Sequence, residues 1–163
     1  MQARINNPVM SVPGALEGIR GFAMSARETE VPETTIGLIQ LRVSQINGCS
    51  VCADMHSREL EFLGCSSERL HTLAAWRETP YFSDEERAAL ALAEAATRLA
   101  DNSDSVSDAI WDEAARHYSE QQLAGLVVTI AAINAFNRLN ATTRQPTGPW
   151  VAQFVEQAMA ARA

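Results

Sequence analysis

The chain has 163 residues, a formal net charge of −7 and an apolar fraction of 47%, which is enough for one domain whose core needs no metal or disulfide. All 13 basic residues are arginine, so lysine Schiff-base chemistry and the phosphate-loop lysine are excluded. No basic stripe runs along the sequence, and we therefore expect no nucleic-acid partner. We expect a single domain over residues 1–163.

The residue composition favours helices. Alanine is abundant, while glycine and proline number only 8 and 6. The spacing of apolar residues predicts an all-α domain of about seven helices. In the first half they span about 13–26, 32–47, 49–64 and 68–77, with Pro32 opening the second helix, and Gly48 and Gly64 ending the second and third.

Capping boxes mark two helices of the second half. Ser83 with Glu86 opens a helix to about residue 100, and Ser119 with Gln122 opens another to about residue 139. A short helix over 110–117 lies between them, and a last helix covers 150–162. Residues 121–137 are apolar but too short a run for a membrane span, so we expect a buried helix and no membrane partner.

The N-terminus does not resemble a secretion signal. Arg4 has no apolar run behind it, because Asn6, Asn7 and Pro8 come directly after Ile5, so we expect a cytoplasmic protein. Three cysteines in a chain without an export signal favour redox or metal chemistry over a structural disulfide framework.

Cys49, Cys52 and His56 carry the sharpest chemical pattern in the sequence. Spacings of three and four residues place them on one face of a helix, with Cys49 at its start. A helix N-terminus stabilises a thiolate, and His56 can accept or return a proton near neutral pH. If Cys52 is oxidised to a sulfenic acid, Cys49 can condense with it, and a reductant then reopens the disulfide.

Two other interpretations of these residues remain open. Cysteines at this spacing also bind zinc, although Cys49, Cys52 and His56 supply three ligands where a structural zinc usually has four. The cysteines could also be small buried apolar residues. A thioredoxin-like fold is not expected, because the sequence lacks its alternating strands and helices.

The stretch from Leu41 to Cys49, together with Cys52, Asp54, Met55 and His56, resembles the carboxymuconolactone decarboxylase superfamily in its alkylhydroperoxidase D-like branch. Residues 82–96 and 133–139 are similar to later segments of the same family. The resemblance implies an all-helical subunit, a homo-oligomer (trimer or hexamer) and reduction of hydroperoxides. It also implies that Cys52 is the peroxidatic cysteine, Cys49 the resolving cysteine, and His56 part of the proton relay.

The sequence departs from this family at one position. The family often has a glutamate twelve residues before the first cysteine, and this chain has Gly37 there. Glu33 lies one turn earlier on the same face and is a possible substitute in the proton relay. The departure implies either a weak peroxidase or a protein that acts on something other than the usual hydroperoxides.

The remaining polar candidates are expected to have structural or surface roles. Cys65 is expected to be an idle thiol, and His71 and His117 are expected at the surface or at helix ends. Asn134, Asn137 and Arg138, in an apolar helix, are expected to form a hydrogen-bonded lock more than a substrate contact. Arg42 is either an exposed arginine or a group that lowers a thiol pKa.

The sequence therefore predicts a thiol-dependent peroxidase-like oxidoreductase that reduces small hydroperoxides, or disulfides, through Cys49 and Cys52. Its partners would be a dithiol or protein reductant and further copies of itself, and no metal or cofactor beyond the redox-active disulfide is expected. The alternatives are a non-catalytic oligomeric redox sensor or scaffold and a zinc-binding structural module.

Overall fold

A computed structural model of the chain describes residues 2–99, 102 and 104–161, and this part is helical without any strand. The α-helices in these ranges, in chain order, are α1 Pro8–Ser11, α2 Ala15–Ser25, α3 Glu33–Asn47, α4 Ser50–Phe62, α5 Ser67–Thr72, α6 Asp84–Thr97, α7 Asp108–His117, α8 Glu120–Thr143 and α9 Pro149–Ala160. Two 3-10 helices, Ala26–Thr29 and Leu73–Glu78, follow α2 and α5. The all-α prediction is confirmed.

The described part of the chain differs from the predicted helices at two places, where one helix is added and another is divided. The segment predicted as one helix over 13–26 is preceded by α1, and α2 begins only after Gly14, which has a φ of 77°. The helix predicted over 68–77 is interrupted near Ala75, which has a φ of −120° inside the 3-10 segment. The spacing of apolar residues does not reveal a change from α-helix to 3-10 helix, because both backbones keep the same residues near the core.

The predicted helix ends are largely correct. Gly48 and Gly64 both adopt positive φ values, 66° and 80°, at the ends of α3 and α4. Both capping boxes are present, Ser83 with Glu86 and Ser119 with Gln122. Helix α8 continues four residues past the predicted end at residue 139, and the predicted ends at Ala100 and Arg162 lie outside the described residues.

Helix α8 lies at the centre of the fold. It packs against α2, α3, α6 and the first 3-10 helix. By length and composition alone it is apolar enough to cross a membrane, but half of that apolar window is buried inside the protein. Its packing is that of a core helix, in agreement with the burial expected from the sequence.

Helices α3 and α4 pack against each other, and they approach closely at Gly37. A Cβ atom at this position would lie 2.8 Å from Leu60 Cδ2 and 3.1 Å from Leu60 Cγ. Leu60 is fully buried, so it has little room to move. Gly37 is therefore a packing residue, and the close approach of α4 leaves no space there for the glutamate that the family often has.

The buried carboxylate of Glu94 links α6 to α3 and to the second 3-10 helix. Its carboxylate accepts hydrogen bonds from Arg42 Nε at 2.6 Å, Arg77 Nη1 at 2.6 Å and Trp76 Nε1 at 3.2 Å. Burial alone would raise the pKa of Glu94, but these hydrogen bonds outweigh it and lower the pKa to about 2. Arg42 is thus a structural partner of Glu94, and its guanidinium is not an exposed group.

We predict that Gly37→Ala destabilises the parent protein but stabilises a Leu60→Ala background. In the parent, overpacking costs about 1–3 kcal/mol and exceeds the gain of about 1 kcal/mol in helix propensity. Once Leu60 is truncated, the clash is gone and only the gain remains. Urea unfolding of the four proteins measures this cycle. Equal effects in both backgrounds would contradict the close approach.

We predict that Glu94 stabilises the protein at neutral pH and that this contribution is lost on acidification. Its folded-state pKa of about 2 lies below the ordinary value of 4.5, so the stabilisation is complete above about pH 4.5 and disappears as the pH falls towards 2. The shift corresponds to about 3 kcal/mol at most.

Urea unfolding between pH 2 and pH 7 tests this contribution. Glu94→Gln should lower the free energy of unfolding at pH 7 and flatten its dependence on pH. The exposed Glu61→Gln is the control and should leave the profile unchanged. A profile of Glu94→Gln parallel to that of the parent would contradict the assignment.

Candidate redox site

Cys49 and Cys52 form a disulfide at the start of α4, with their Cα atoms 5.4 Å apart. The left-handed turn at Gly48 ends α3 and delivers Cys49 to the N-cap position of α4. The backbone there is held by bonds from Cys49 N to Ser44 O at 3.0 Å and from Ala53 N to Cys49 O at 2.9 Å. The cysteines are only 2% and 4% exposed. The fold therefore brings together the two sulfurs that the sequence pattern singles out.

The two sulfurs have different hydrogen-bond donors. Cys49 Sγ accepts from the backbone N–H of Cys52 at 3.4 Å, as a side chain at a helix N-terminus does. Cys52 Sγ accepts from Asn140 Nδ2 on α8, also at 3.4 Å. Asn140 was missed by the sequence analysis, since 88 residues separate it from Cys52 and only the fold joins them.

His56 lies one turn after Cys52 on the same helix, as predicted. Its Nδ1 is 2.8 Å from Glu59 Oε2, and both side chains are buried. A carboxylate at Nδ1 orients the ring and makes Nε2 the nitrogen that accepts a proton. Glu59 was not predicted from the sequence, although its spacing of three residues from His56 is the signal of a contact on one helix face.

A chain of asparagine side chains fixes the α3–α4 corner against α8. Asn47 Nδ2, in the last turn of α3, donates to Asn134 Oδ1 and Asn137 Oδ1, each at 2.9 Å. Asn137 Nδ2 donates to Ser44 Oγ at 3.1 Å, and Asn134 Nδ2 donates to Thr97 Oγ1 at 3.1 Å. The hydrogen-bonded network predicted for Asn134 and Asn137 is present, and it fixes the turn that precedes Cys49.

Glu33 lies at the opposite end of α3 from the cysteines. Its side chain is 48% exposed and forms an ion pair with Arg27 at 2.7 Å. Its role in a proton relay stays a prediction. The carboxylate that contacts His56 is that of Glu59, on α4 itself.

The other thiol and the other histidines lie apart from this site. Cys65 is a free, partly buried thiol, and burial raises its pKa. His71 is exposed, and His117 Nε2 lies 3.3 Å from Glu113 Oε1. These positions agree with the minor roles expected of them.

Helix α9 and the segment before it cover the disulfide. Val151, Val155 and Met159 of α9 are buried in the same apolar cluster as Cys49 and Cys52, and α9 packs chiefly against α4. Ahead of α9, the Thr147 hydroxyl donates to Asp54 on α4, which also accepts from Arg58 at 2.7 Å. The redox pair is thus enclosed from the α9 side.

An open cleft of about 440 Å³ runs along a neighbouring face of α4. It is lined by side chains of α3, α4 and α5, including Leu41, Ala53, Ser57 and His71. Neither sulfur lines the cleft, so we do not assign it to the redox pair. Across the described ranges, no group of three or more His, Cys, Asp or Glu side chains is arranged to hold a metal ion.

The fold and the cysteine pair together define a family. Residues 13–95 match the family model described as "Carboxymuconolactone decarboxylase family", which is about half of the chain. The chain belongs to this family and has the alkylhydroperoxidase D-like fold.

Three known proteins are similar to this chain, two of them in sequence and one in fold alone. The uncharacterised protein YdfG of Bacillus subtilis is 39% identical over 114 residues, which cover 70% of this chain and 76% of YdfG. A protein of unknown function from Agrobacterium tumefaciens, suggested to be the antioxidant defence protein AhpD, has a TM-score of 0.83 and 30% identity over 90% of this chain and 99% of its own. The debrominase Bmp8, in complex with 2,3,4-tribromopyrrole, has a TM-score of 0.75 and 19% identity over 92% of this chain and 79% of its own, and shares the fold.

We predict that His56 and Glu59 together control the reactivity of Cys52 in the reduced protein. His56→Ala should slow alkylation of Cys52 at pH 7 by about tenfold or more, since a positioned base contributes about 10²- to 10⁴-fold. At pH 10 an ordinary thiol is already ionised, so the effect should be small. Glu59→Gln should have the same sign and a smaller size.

Alkylation rates measured by mass spectrometry at both pH values test this prediction. His71→Ala is the matched control, because it removes an exposed histidine outside the site. Equal slowing at pH 7 and pH 10 would mean that the variants damage the structure.

Proposed function

We propose that this protein is a thiol-dependent peroxidase-like oxidoreductase that reduces small hydroperoxides, or disulfides, through Cys49 and Cys52. The observation that carries the proposal is the Cys49–Cys52 disulfide at the head of α4, one turn from the His56–Glu59 pair. The pair stores two electrons when reduced, and a proton donor lies on the same helix.

In the reaction that we propose, the two cysteines supply the two electrons and His56 transfers the proton. The Cys52 thiolate attacks the outer oxygen of a hydroperoxide, the O–O bond breaks, and Cys52 becomes a sulfenic acid while an alkoxide leaves. His56, held by Glu59, supplies the proton that turns the alkoxide into an alcohol. The Cys49 thiol then condenses with the sulfenic acid, which forms the disulfide and releases water. A dithiol reduces the disulfide and is itself oxidised.

Burial of the pair supports a small substrate. The sulfurs are 2% and 4% exposed and lie under α9, so a compact hydroperoxide fits this site better than a bulky one. Gly37 removes the carboxylate that the family often has on α3, which supports weak activity towards the usual hydroperoxides. Glu59 and Glu33 are the carboxylates of this chain proposed to serve the relay, and contact with His56 favours Glu59.

The proposed partners are those that this chemistry requires. The electron donor is a dithiol or a reduced protein, and the subunit assembles as a homo-oligomer, a trimer or a hexamer. We propose a cytoplasmic location, where thiols are kept reduced. A non-catalytic redox sensor or scaffold with the same cysteine pair is the alternative from another class, and a zinc-binding structural module is a second.

Steady-state turnover with a dithiol tests the proposed function. We predict continuous consumption of hydrogen peroxide or a small alkyl hydroperoxide with excess dithiothreitol, well above the rate of dithiothreitol alone. Cys52→Ser should reduce turnover to background, because the sulfur that attacks is lost. Cys49→Ser should reduce it strongly, because the sulfenic acid then lacks its partner.

Cys65→Ser is the matched control and should turn over like the parent, since Cys65 lies outside the pair. A disulfide and 2,3,4-tribromopyrrole should be tested as alternative electron acceptors beside the hydroperoxides, because a debrominase shares this fold. Oxidation of one equivalent that then stops would overturn the enzyme proposal and favour a sensor. Zinc in stoichiometric amount in the purified protein would favour the structural module.

A further inference from the structure

We propose that Asn140 is the hydrogen-bond donor that stabilises the thiolate of Cys52 and so directs negative charge to Cys52 in the reduced pair. The contact that carries the inference is Asn140 Nδ2 to Cys52 Sγ at 3.4 Å, between α8 and α4. The proposal rests on the proposed thiol chemistry and adds a donor from outside the helix that bears the cysteines.

The side-chain amide distinguishes the two sulfurs. Cys49 Sγ receives the backbone N–H that an acceptor side chain at an N-cap typically receives. Cys52 Sγ receives a side-chain donor that a different residue at position 140 would not provide. One side chain of α8, the Asn140 amide, therefore favours the negative charge on Cys52.

The contact should strengthen when the disulfide is reduced. A neutral sulfur is a weak acceptor, whereas hydrogen bonds to an ionised acceptor are about twice as strong as neutral ones. The amide therefore favours the thiolate over both the thiol and the disulfide. Stabilising the reduced form makes a disulfide more oxidising, so Asn140 also raises the reduction potential of the pair.

Asn140 is held in place by the end of α8. Its backbone carbonyl accepts from Gln145 N at 2.9 Å, where Arg144 ends the helix in a left-handed conformation. Asn134 and Asn137 precede it at intervals of three residues and are tied to α3 and α6. The amide is thus presented to Cys52 from a fixed backbone.

Site-resolved alkylation of the fully reduced protein tests the proposal. Iodoacetamide rates are measured from pH 5 to pH 10, and fragment-ion spectra separate Cys49 from Cys52. Asn140→Leu keeps the approximate volume and removes the donor. We expect the Cys52 rate at pH 7 to fall by about tenfold, because a hydrogen bond to a charged group contributes about one to two powers of ten. At pH 10 the rates of variant and parent should agree within about twofold, since an ordinary thiol is then ionised.

Two further variants distinguish an electrostatic effect on Cys52 from a structural change at the end of α8. Asn140→Asp keeps the shape and places a carboxylate against the sulfur, so it should slow Cys52 at pH 7 at least as much as Asn140→Leu. Thr143→Val is the control, because Thr143 lies in the same last turn of α8 and donates to the backbone carbonyl of Leu139. It should leave the Cys52 profile unchanged.

Redox equilibration with dithiothreitol at pH 9.5 gives an independent measure. The disulfide of Asn140→Leu should be about tenfold harder to reduce than that of the parent, which corresponds to about 30 mV. An unchanged Cys52 profile in both Asn140→Leu and Asn140→Asp would overturn the proposal. Equal slowing of Cys49 and Cys52 would overturn it as well, because the variant would then act through the structure of the turn.

Neither measurement uses a hydroperoxide. A shifted Cys52 profile in a protein that turns over neither hydroperoxides nor disulfides would support the role of Asn140 and refute the proposed function. Hydroperoxide turnover in a protein whose Cys52 alkylation profile does not depend on residue 140 would support the proposed function and refute the role of Asn140.

Discussion

The hydrogen bonds of Asn47 are the constraint on which the redox site depends. Asn47 lies at the end of α3 and donates to both Asn134 and Asn137 on the central helix α8. The next two residues are the left-handed Gly48 and then Cys49, so the orientation of the first sulfur is set by this anchor. Because buried polar groups are costly when unpaired, loss of any member would disturb its neighbours.

The close approach of α3 and α4 at Gly37 and the contact of His56 with Glu59 are two separate features of this pair of helices. At Gly37 the two helices are so near that Leu60 fills the space that a longer side chain would need. The acidic group beside His56 is Glu59, three residues further along the same helix. Histidine and carboxylate on one helix move as a unit, which keeps their separation constant if the helices shift against each other.

Much of the fold could be predicted from the sequence, because the signals are local. Gly48, Gly64 and the two capping boxes define helix ends through the backbone conformations and side-chain bonds of a few adjacent residues. The spacing of Cys49, Cys52 and His56 was sufficient to place them on one helix face. The donor from Asn140 could not be predicted in this way, because it depends on the packing of α8 against α4. The break at Ala75 was also hidden, since alanine is the strongest helix former and predicts an uninterrupted helix.

Helix α9 connects access to the sulfurs with the local stability of the C-terminal segment. It packs chiefly against α4 through Val151, Val155 and Met159, in the cluster that contains both cysteines. Segments held by few contacts detach at a smaller free energy than the whole fold. For the proposed protein reductant, approach to the disulfide from the α9 side would require α9 to detach. The frequency of that local unfolding would then limit the rate of reduction from this side.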